Sequence, residues 1–287
     1  METDLHPAAS LCGEPAVEVR PSPDACRPTR AYAHGMTELQ SIRVPTVESA
    51  SILASVVCGV DGSEEAAEAV RQAALLAAPA ARFELVGVIH AGLVESVASV
   101  MPALTVEPER LLRKQAWAAL EDASRDVRGQ IEVTTTLRTG PAAALLEVEA
   151  RRLEADTIAV GSHGQGRLAG KLLGSVATRV VHDARRSVLV ARSAPTATFP
   201  RRIIVGVDES EPSARALAIG RELSSRTGAD LDPVHVLDSS PAAALVERAT
   251  SEDLLIVGSR GKRGLRSLGS VSEAVAHRAA GSVLVVR

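Results

Sequence analysis

A glycine-rich motif between an apolar run and a helical segment is the feature that most constrains the fold of this chain. Residues 156–160 form the apolar run, and Gly161-Ser-His-Gly164 follows it directly. Gly174-Ser175 then precedes residues 176–184, whose apolar positions are spaced as on a helix. A turn of this kind gathers backbone N–H groups and a helix N-terminus in one small concavity, which favours phosphate binding.

The same pattern returns near the end of the chain, and other segments are repeated in the same order. The second apolar run, residues 253–257, is followed by Gly258, Gly261, Gly269 and Ser270. The further matching pairs are residues 55–64 with 202–211, 140–147 with 240–247, and 186–192 with 281–287. Because the matches are collinear, they indicate an internal duplication.

Within each copy, short apolar runs alternate with segments of helical periodicity. In the first copy the longest helical segment opens at Pro108 and is expected to stop near Gly129, and Ser63 is the predicted N-cap of the first helix. The alternation predicts parallel strands, right-handed crossovers and helices on both faces of a sheet. The second copy is shorter, and residues 231–237 leave room for one strand where the first copy has a strand, a long helix and another strand. Whether that strand corresponds to the second or the third strand of the first copy stays open.

The chain divides into four predicted parts. Residues 1–50 are rich in Pro, Ala, Ser and Arg without any period, which predicts a disordered extension. Residues 51–194 are expected to form a complete first domain, 195–200 a linker, and 201–287 a truncated second domain. Met36 is a candidate alternative start, so the sequence leaves open whether residues 1–35 are part of the expressed protein.

Composition excludes several classes of function. The 32 basic and 35 acidic side chains give a formal charge of −3 without a basic run, and aromatic residues make up 1% of the chain. Both observations argue against nucleic acid as a partner. We expect a cytoplasmic protein without a membrane partner, because no apolar stretch approaches about 20 residues and the N-terminus lacks a secretory pattern. Cys12, Cys26 and Cys58 lack metal-type spacing, and Cys58 falls in a predicted buried strand.

The glycine motif and one acidic residue form the candidate binding site. Gly161 is expected at the carboxyl edge of the sheet, where open α/β sheets bind ligands. Asp61 follows the first strand, and its carboxylate would accept hydrogen bonds from a ribose or help to hold a metal ion if the two strands are neighbours. The alternative is that the glycines only make tight turns and that Asp61 caps a helix. We expect His163, like Arg260 at the same motif position, to be a solvent-facing loop residue, with contact to phosphate as the alternative. We expect Trp117 to be a packing residue.

The motif Val60-Asp61-x-Ser63, followed by Gly161-x2-Gly164-x9-Gly174-Ser175, resembles the signature of the universal stress protein family over nearly all of residues 52–287. The resemblance implies an α/β fold of two tandem flavodoxin-like (Rossmann-like) domains with parallel sheets and strand order 3-2-1-4-5, the second domain lacking about one strand and one helix. It also implies ATP as ligand, with Mg²⁺ accompanying the phosphates. The implied nucleotide-binding positions are Asp61, Val88, Val160, Gly161, Gly164, Gly174, Ser175 and Val176. Their second-copy equivalents are Asp208, Gly258, Gly261, Gly269 and Ser270.

The second copy departs from the family pattern in its phosphate loop. Seven residues lie between Gly261 and Gly269, whereas nine lie between Gly164 and Gly174. The missing strand and helix are also expected to remove part of the cover over a nucleoside. We therefore predict that the second site binds nucleotide weakly or not at all.

Two functions remain as hypotheses. The first is an ATP-binding stress or signalling protein, in which nucleotide changes conformation or association. The second is a dimerisation or interaction scaffold of the same fold without nucleotide. In either case residues 187–191 and 282–286 are expected to pair inside one chain, and a homodimer is a further expected partner. The sequence contains no nucleophile, base and acid in a recognisable order, so we expect no enzyme activity beyond slow, incidental ATP hydrolysis.

Overall fold

The computed structural model describes residues 52–90, 108–164, 173–194, 198–235, 240–259 and 268–287. The predicted N-terminal extension, the centres of both glycine-rich loops and part of the predicted linker lie outside these ranges. Gly261 is the one predicted site residue that falls there. None of the helices in the described ranges combines the length and the hydropathy needed to cross a membrane.

Nine strands form one continuous sheet in the order β3-β2-β1-β4-β5-β9-β8-β6-β7. They are β1 Ser55–Val60, β2 Arg82–Ile89, β3 Glu132–Thr139, β4 Thr157–Gly161, β5 Ser187–Ala191, β6 Arg202–Val207, β7 Asp230–His235, β8 Asp253–Gly258 and β9 Ser282–Val286. Neighbouring strands within each repeat are parallel, and the first repeat has the order 3-2-1-4-5. The predicted fold class is confirmed.

Seven helices cover the two faces of the sheet in the described part of the chain. They are α1 Glu64–Leu76, α2 Pro108–Val127, α3 Ala142–Arg152, α4 Ser175–Asp183, α5 Glu211–Thr227, α6 Pro241–Arg248 and α7 Ser270–Arg278. One face carries α1, α2 and α5, and the other carries α3, α4, α6 and α7. The predicted cap is confirmed, because the Ser63 hydroxyl accepts from the Ala66 N–H at the start of α1. The prediction that Trp117 is a packing residue is wrong, because its side chain is 40% exposed on α2.

Among its described residues, the second repeat contains neither a third strand beside β7 nor a counterpart of α2, in agreement with the expected loss of one strand and one helix. Strand β7 pairs in parallel with β6, which is the position that β2 holds beside β1 in the first repeat. The question left open by the sequence is therefore answered: β7 corresponds to the second strand. β7 is an edge strand that contains Pro233. Proline has no N–H to donate to a neighbouring strand, so it is tolerated at a sheet edge, where it also hinders pairing with a further strand.

The repeated Pro-Ala-Ala-Ala-Leu segments are shifted by one residue in the fold. Sequence matching pairs Leu145 with Leu245, but the side chain that packs over Gly59 of β1 is Leu146, whereas Leu245 packs over Gly206 of β6. Helix α3 begins after Pro141, whereas α6 begins with its proline at the first turn. Because α3 starts one residue later in the repeated segment than α6, the leucine that packs on the sheet is also one residue later, Leu146 and not Leu145.

The two repeats meet through an antiparallel pairing of β5 with β9, in which Leu189 lies opposite Leu284. These two leucines occupy equivalent positions of the duplicated segment, so the junction has an approximate two-fold axis. Arg192 follows β5 and crosses the junction. Its backbone N–H donates to Ser282 Oγ at 2.9 Å, and its guanidinium donates to the carbonyl oxygens of Gly281 and Ala276. Burial lowers the pKa of Arg192 to about 10, which leaves the side chain charged at neutral pH.

Candidate functional site

A cavity of about 280 Å³ opens at the carboxyl ends of β1, β2 and β4. This is the edge at which open α/β sheets place their ligands. All eight first-copy residues that the sequence singled out line it: Asp61, Val88, Val160, Gly161, Gly164, Gly174, Ser175 and Val176. They come from three strand ends, the glycine-rich loop and the start of α4, so the fold brings together positions up to 115 residues apart.

Aliphatic side chains form the inner wall of the cavity. Val60 and Val160 come from the central strands β1 and β4, Val86 and Val88 from β2, and Leu146 from α3. Val60, Val86, Val160 and Leu146 are buried. A wall of this kind suits a flat apolar group, because burying such a group displaces water from apolar surface without leaving a polar atom unpaired.

Asp61 has a structural role and also faces the cavity. Its Oδ1 accepts hydrogen bonds from the Ser63 N–H at 3.0 Å and from the Ser63 hydroxyl at 2.6 Å. Its Oδ2 lies so close to Gly164 that a Cβ at that position would overlap it. Asp61 therefore organises the turn before α1, and its second carboxylate oxygen lies against the glycine-rich loop; its role toward a ribose or a metal stays a prediction.

Close backbone approach explains two of the glycines. A Cβ on Gly161 would lie 2.6 Å from the carbonyl carbon of Glu65, so β4 and the first turn of α1 pack without space for a side chain. A Cβ on Gly174 would lie 3.2 Å from the Ser162 carbonyl oxygen, to which the Gly174 N–H donates at 2.8 Å. Gly174 has an ordinary φ of −62°. Proximity, and not an unusual backbone conformation, therefore favours a glycine there.

The N-terminus of α4 faces the cavity. Helix α4 begins at Ser175, its N-cap Gly174 has no side chain to accept a hydrogen bond, and the first turn contains no acidic residue. The N–H groups of a first helical turn lack partners within the helix, and the helix dipole makes this end positive. Ser175, Val176 and Ala177 of this turn line the cavity, which therefore presents an anion-binding end.

His163 is a cavity residue that the sequence underestimated. Its side chain is partly buried and lines the cavity instead of pointing only to solvent. Nδ1 lies 3.1 Å from the Ser162 hydroxyl, whereas Nε2 is buried and has no hydrogen-bond partner among the described residues. A buried ring nitrogen without a partner is costly unless a ligand or water pairs with it. Its position in the sequence between Gly161 and Gly164 was the signal that could have predicted a place at the cavity.

Ionisable groups next to the cavity are held in fixed states. Complete burial raises the pKa of the Cys58 thiol in β1, so this cysteine is an unreactive packing residue, as its predicted place in a buried strand suggested. Burial also tends to raise the pKa of Glu149 in α3, but hydrogen bonds from Arg152 and Arg138 outweigh it and lower the pKa. Glu149 therefore stays ionised at neutral pH and anchors α3, which carries Leu146 into the cavity wall.

The second repeat reproduces the backbone of the site. The Gly269 N–H donates to the Ser259 carbonyl at 2.8 Å, as Gly174 does to Ser162, and Ser270 begins α7. Asp208 accepts from the backbone N–H and the hydroxyl of Ser210, as Asp61 does from Ser63. A Cβ on Gly258 would lie 2.7 Å from the carbonyl carbon of Pro212, matching the close approach at Gly161.

The sequence suggested two differences between the repeats, a shorter phosphate loop and a missing strand and helix. The centres of both loops lie outside the described residues, and no described residue that lines the first cavity belongs to β3 or α2. The structure adds a third difference: Ser213 stands where the first repeat has Ala66, and its hydroxyl bonds to the backbone of Asp208 and Ser210. By strand register the counterpart of Val88 is residue 236, which lies outside the described ranges, as does Gly261.

The chemical groups that line the first cavity suit a nucleotide. The aliphatic wall fits a base, the Asp61 carboxylate fits sugar hydroxyls, and the start of α4 fits phosphate. Asp61 is the one carboxylate among the described residues that line the cavity, so Mg²⁺ would depend mainly on oxygens of the phosphates and water.

Comparison with known proteins gives consistent matches. A family model described as the universal stress protein family matches residues 54–192, 200–250 and 239–287. The chain is 30% identical to universal stress protein Rv2005c of Mycobacterium tuberculosis over 227 residues, which are 61% of this chain and 73% of that protein. It is 29% identical to a universal stress protein of Mycolicibacterium smegmatis, over 81% of this chain and 96% of that one. A universal stress protein structure from Archaeoglobus fulgidus matches the fold with a TM-score of 0.60 at 18% identity, covering 81% of this chain and 98% of that one.

Proposed function

Because this chain belongs to the universal stress protein family, we propose that its first repeat binds ATP and that its second repeat binds it weakly or not at all. The observation that carries the proposal is the convergence of eight predicted positions on a single cavity at the carboxyl edge of the sheet. Bound nucleotide would change the conformation or the association of the protein, and chemistry would be at most slow and incidental.

We propose a role for each group of residues in the site. The valine wall of β1, β2 and β4 would hold the adenine, and the Asp61 carboxylate would accept hydrogen bonds from the ribose. The loop from Gly161 to Gly174 and the N–H groups at the start of α4 would hold the phosphates. His163 Nε2 would supply one further hydrogen bond to the ligand. Mg²⁺ would neutralise phosphate charge, since the described residues that line the cavity include no lysine or arginine.

Titration calorimetry with Mg-ATP tests this assignment in matched variants. A valine at Gly174 would push its side chain against the Ser162 carbonyl and the His163 Cα, both within 3.3 Å of the Cβ position. The loop must then move away from its present path. We expect Gly174→Val to weaken ATP binding by more than about a hundredfold, about 2.7 kcal/mol.

Gly269→Val is the matched control, because Gly269 makes the same hydrogen bond in the second repeat. It should leave ATP affinity unchanged while disturbing an equivalent turn. Equal affinity in Gly174→Val and wild type would remove the nucleotide assignment of the first repeat.

The alternative function is an interaction scaffold without nucleotide. The pairing of β5 with β9 occupies that sheet edge within the chain. A homodimer of either kind would have to use a different surface. Failure of the wild type to bind ATP in the titration would favour the scaffold.

A further inference from the structure

We propose that His182, Glu273 and His277 form a zinc site that links the two repeats, independently of nucleotide binding. His182 lies in the last turn of α4, in the first repeat. Glu273 and His277 lie on α7, in the second repeat. One potential ligand atom from each of the three side chains lies within 4.8 Å of the others.

The spacing of these residues favours a common metal ion. Glu273 and His277 are four positions apart on one helix, which places both side chains on the same face. His182 Nε2 lies 3.3 Å from Glu273 Oε1. Two ligand atoms about 2.0–2.1 Å from zinc at a tetrahedral angle are about 3.3 Å apart. This pair therefore already has the separation of two zinc ligands. The third ligand atom, on the His277 ring, lies within 4.8 Å of the other two, so a small movement would bring it to the ion.

The approximate two-fold axis explains why two histidines meet here. Within the duplicated segment, His182 and His277 are equivalent, since each stands seven residues after the serine that begins its helix. The pairing of β5 with β9 places α4 and α7 on the same face of the sheet. Equivalent side chains near such an axis approach each other, so one histidine per repeat suffices to create a pair. Glu273 replaces Thr178 of the first repeat and adds the one negative charge.

The donor set and its surroundings suit zinc. Two imidazoles and one carboxylate are a frequent protein ligand set for zinc, with water in the fourth position. Both histidines lie in the last turn of a helix, where the negative end of the helix dipole favours a cation. His182 also lines a cavity of about 600 Å³ at the junction, so water has access to the ion. All three residues are partly buried, which permits entry of the metal.

A plain ion pair between His182 and Glu273 is the competing explanation. Such a pair needs neither His277 nor a metal ion. The two explanations differ in what His277 does, and metal titration separates them.

The experiment measures Zn²⁺ binding to the full chain by calorimetry in a chelator-buffered solution, with Co²⁺ as a spectroscopic substitute. We expect one Zn²⁺ per chain at this site, a tetrahedral Co²⁺ absorption band in the visible, and a higher Tm in the presence of metal because only the folded chain holds the cluster. His277→Ala, His182→Ala and Glu273→Gln should each weaken binding by more than about tenfold and abolish the Co²⁺ band.

Two controls keep the outcome decisive. His235→Ala removes a histidine at the end of β7, outside the cluster, and should change nothing. A variant with alanine at His6, Cys12, Cys26 and His34 removes the metal-binding side chains of the N-terminal segment and should retain the site. Unfolding of each variant without metal verifies that it is folded. Unchanged affinity in His277→Ala, or loss of the single site in the N-terminal variant, would overturn the proposal.

Discussion

At the scale of single residues, Asp61 couples the turn before α1 to the glycine-rich loop. One carboxylate oxygen is used by Ser63, and the other lies against Gly164. The second repeat has the same arrangement at Asp208 and Ser210. The two aspartates are therefore a matched pair in which one faces the proposed nucleotide site and its counterpart does not.

We predict that Asp61→Asn weakens ATP binding by about ten- to a hundredfold, since a hydrogen bond to a charged group contributes about 1.5–3 kcal/mol. Asparagine keeps one carbonyl oxygen for Ser63, so the turn should persist. Calorimetric titration with ATP measures the effect. Asp208→Asn is the control and should leave the affinity at its wild-type value, and an equal loss in both variants would speak against a single site.

At the scale of elements, helix α5 packs closely on the sheet at Gly220, which has no side chain to hold the helix away. A Cβ on Gly220 would lie 2.6 Å from Val205 Cγ2 in β6 and 3.2 Å from Leu231 Cδ1 in β7. Val205 is fully buried and its branched side chain has little freedom to move. The close contact of α5 with the sheet therefore depends on the absence of a side chain at this position.

We predict that Gly220→Ala destabilises the fold by up to about 2 kcal/mol in urea unfolding. Alanine improves helix propensity by about 1 kcal/mol, but overpacking a core contact costs about 1–3 kcal/mol. Ser225→Ala, on the exposed side of the same helix, is the control and should stabilise by about 0.5 kcal/mol or less. A stabilised Gly220→Ala would show that α5 can shift away from Val205.

At the scale of the whole molecule, Arg192 stabilises the junction between the repeats. Its guanidinium donates to carbonyl oxygens of Gly281 and, in the last turns of α7, of Ala276. Removal of the side chain would leave these acceptors without that donor at a partly buried junction. The contacts join residues from opposite halves of the chain, so they matter for the association of the two repeats.

We predict that Arg192→Ala lowers the free energy of unfolding by about 2–3 kcal/mol, because buried polar groups that lose a charged partner are costly. Arg201→Ala is the control, since Arg201 is 76% exposed and pairs with Glu252 at the surface. Exposed pairs contribute about 0–1 kcal/mol. Urea unfolding of both variants tests the difference, and equal midpoints would contradict a role for Arg192 in the junction.

Local patterns sufficed for the alternation of strands and helices because the same strand, loop and helix signals occur in both copies, whereas the strand order came from the resemblance to the universal stress protein family. Ser63 as a cap and the glycines around residue 161 follow directly from local chemistry. Three features depend on tertiary packing and lay beyond the sequence: the pairing of β7 with β6, the shift that places Leu146 over Gly59, and the inward position of His163. The exposure of Trp117 belongs with them, because helical periodicity alone does not say how far a helix extends beyond its neighbours.

We propose that one repeat binds ATP and that its duplicate binds it weakly or not at all. The stoichiometry of Mg-ATP binding to the full chain, measured by titration calorimetry, tests this most directly. We expect one site per chain, retained in Gly269→Val and lost in Gly174→Val. Two equivalent sites per chain, or a single site that survives Gly174→Val and is lost in Gly269→Val, would contradict it.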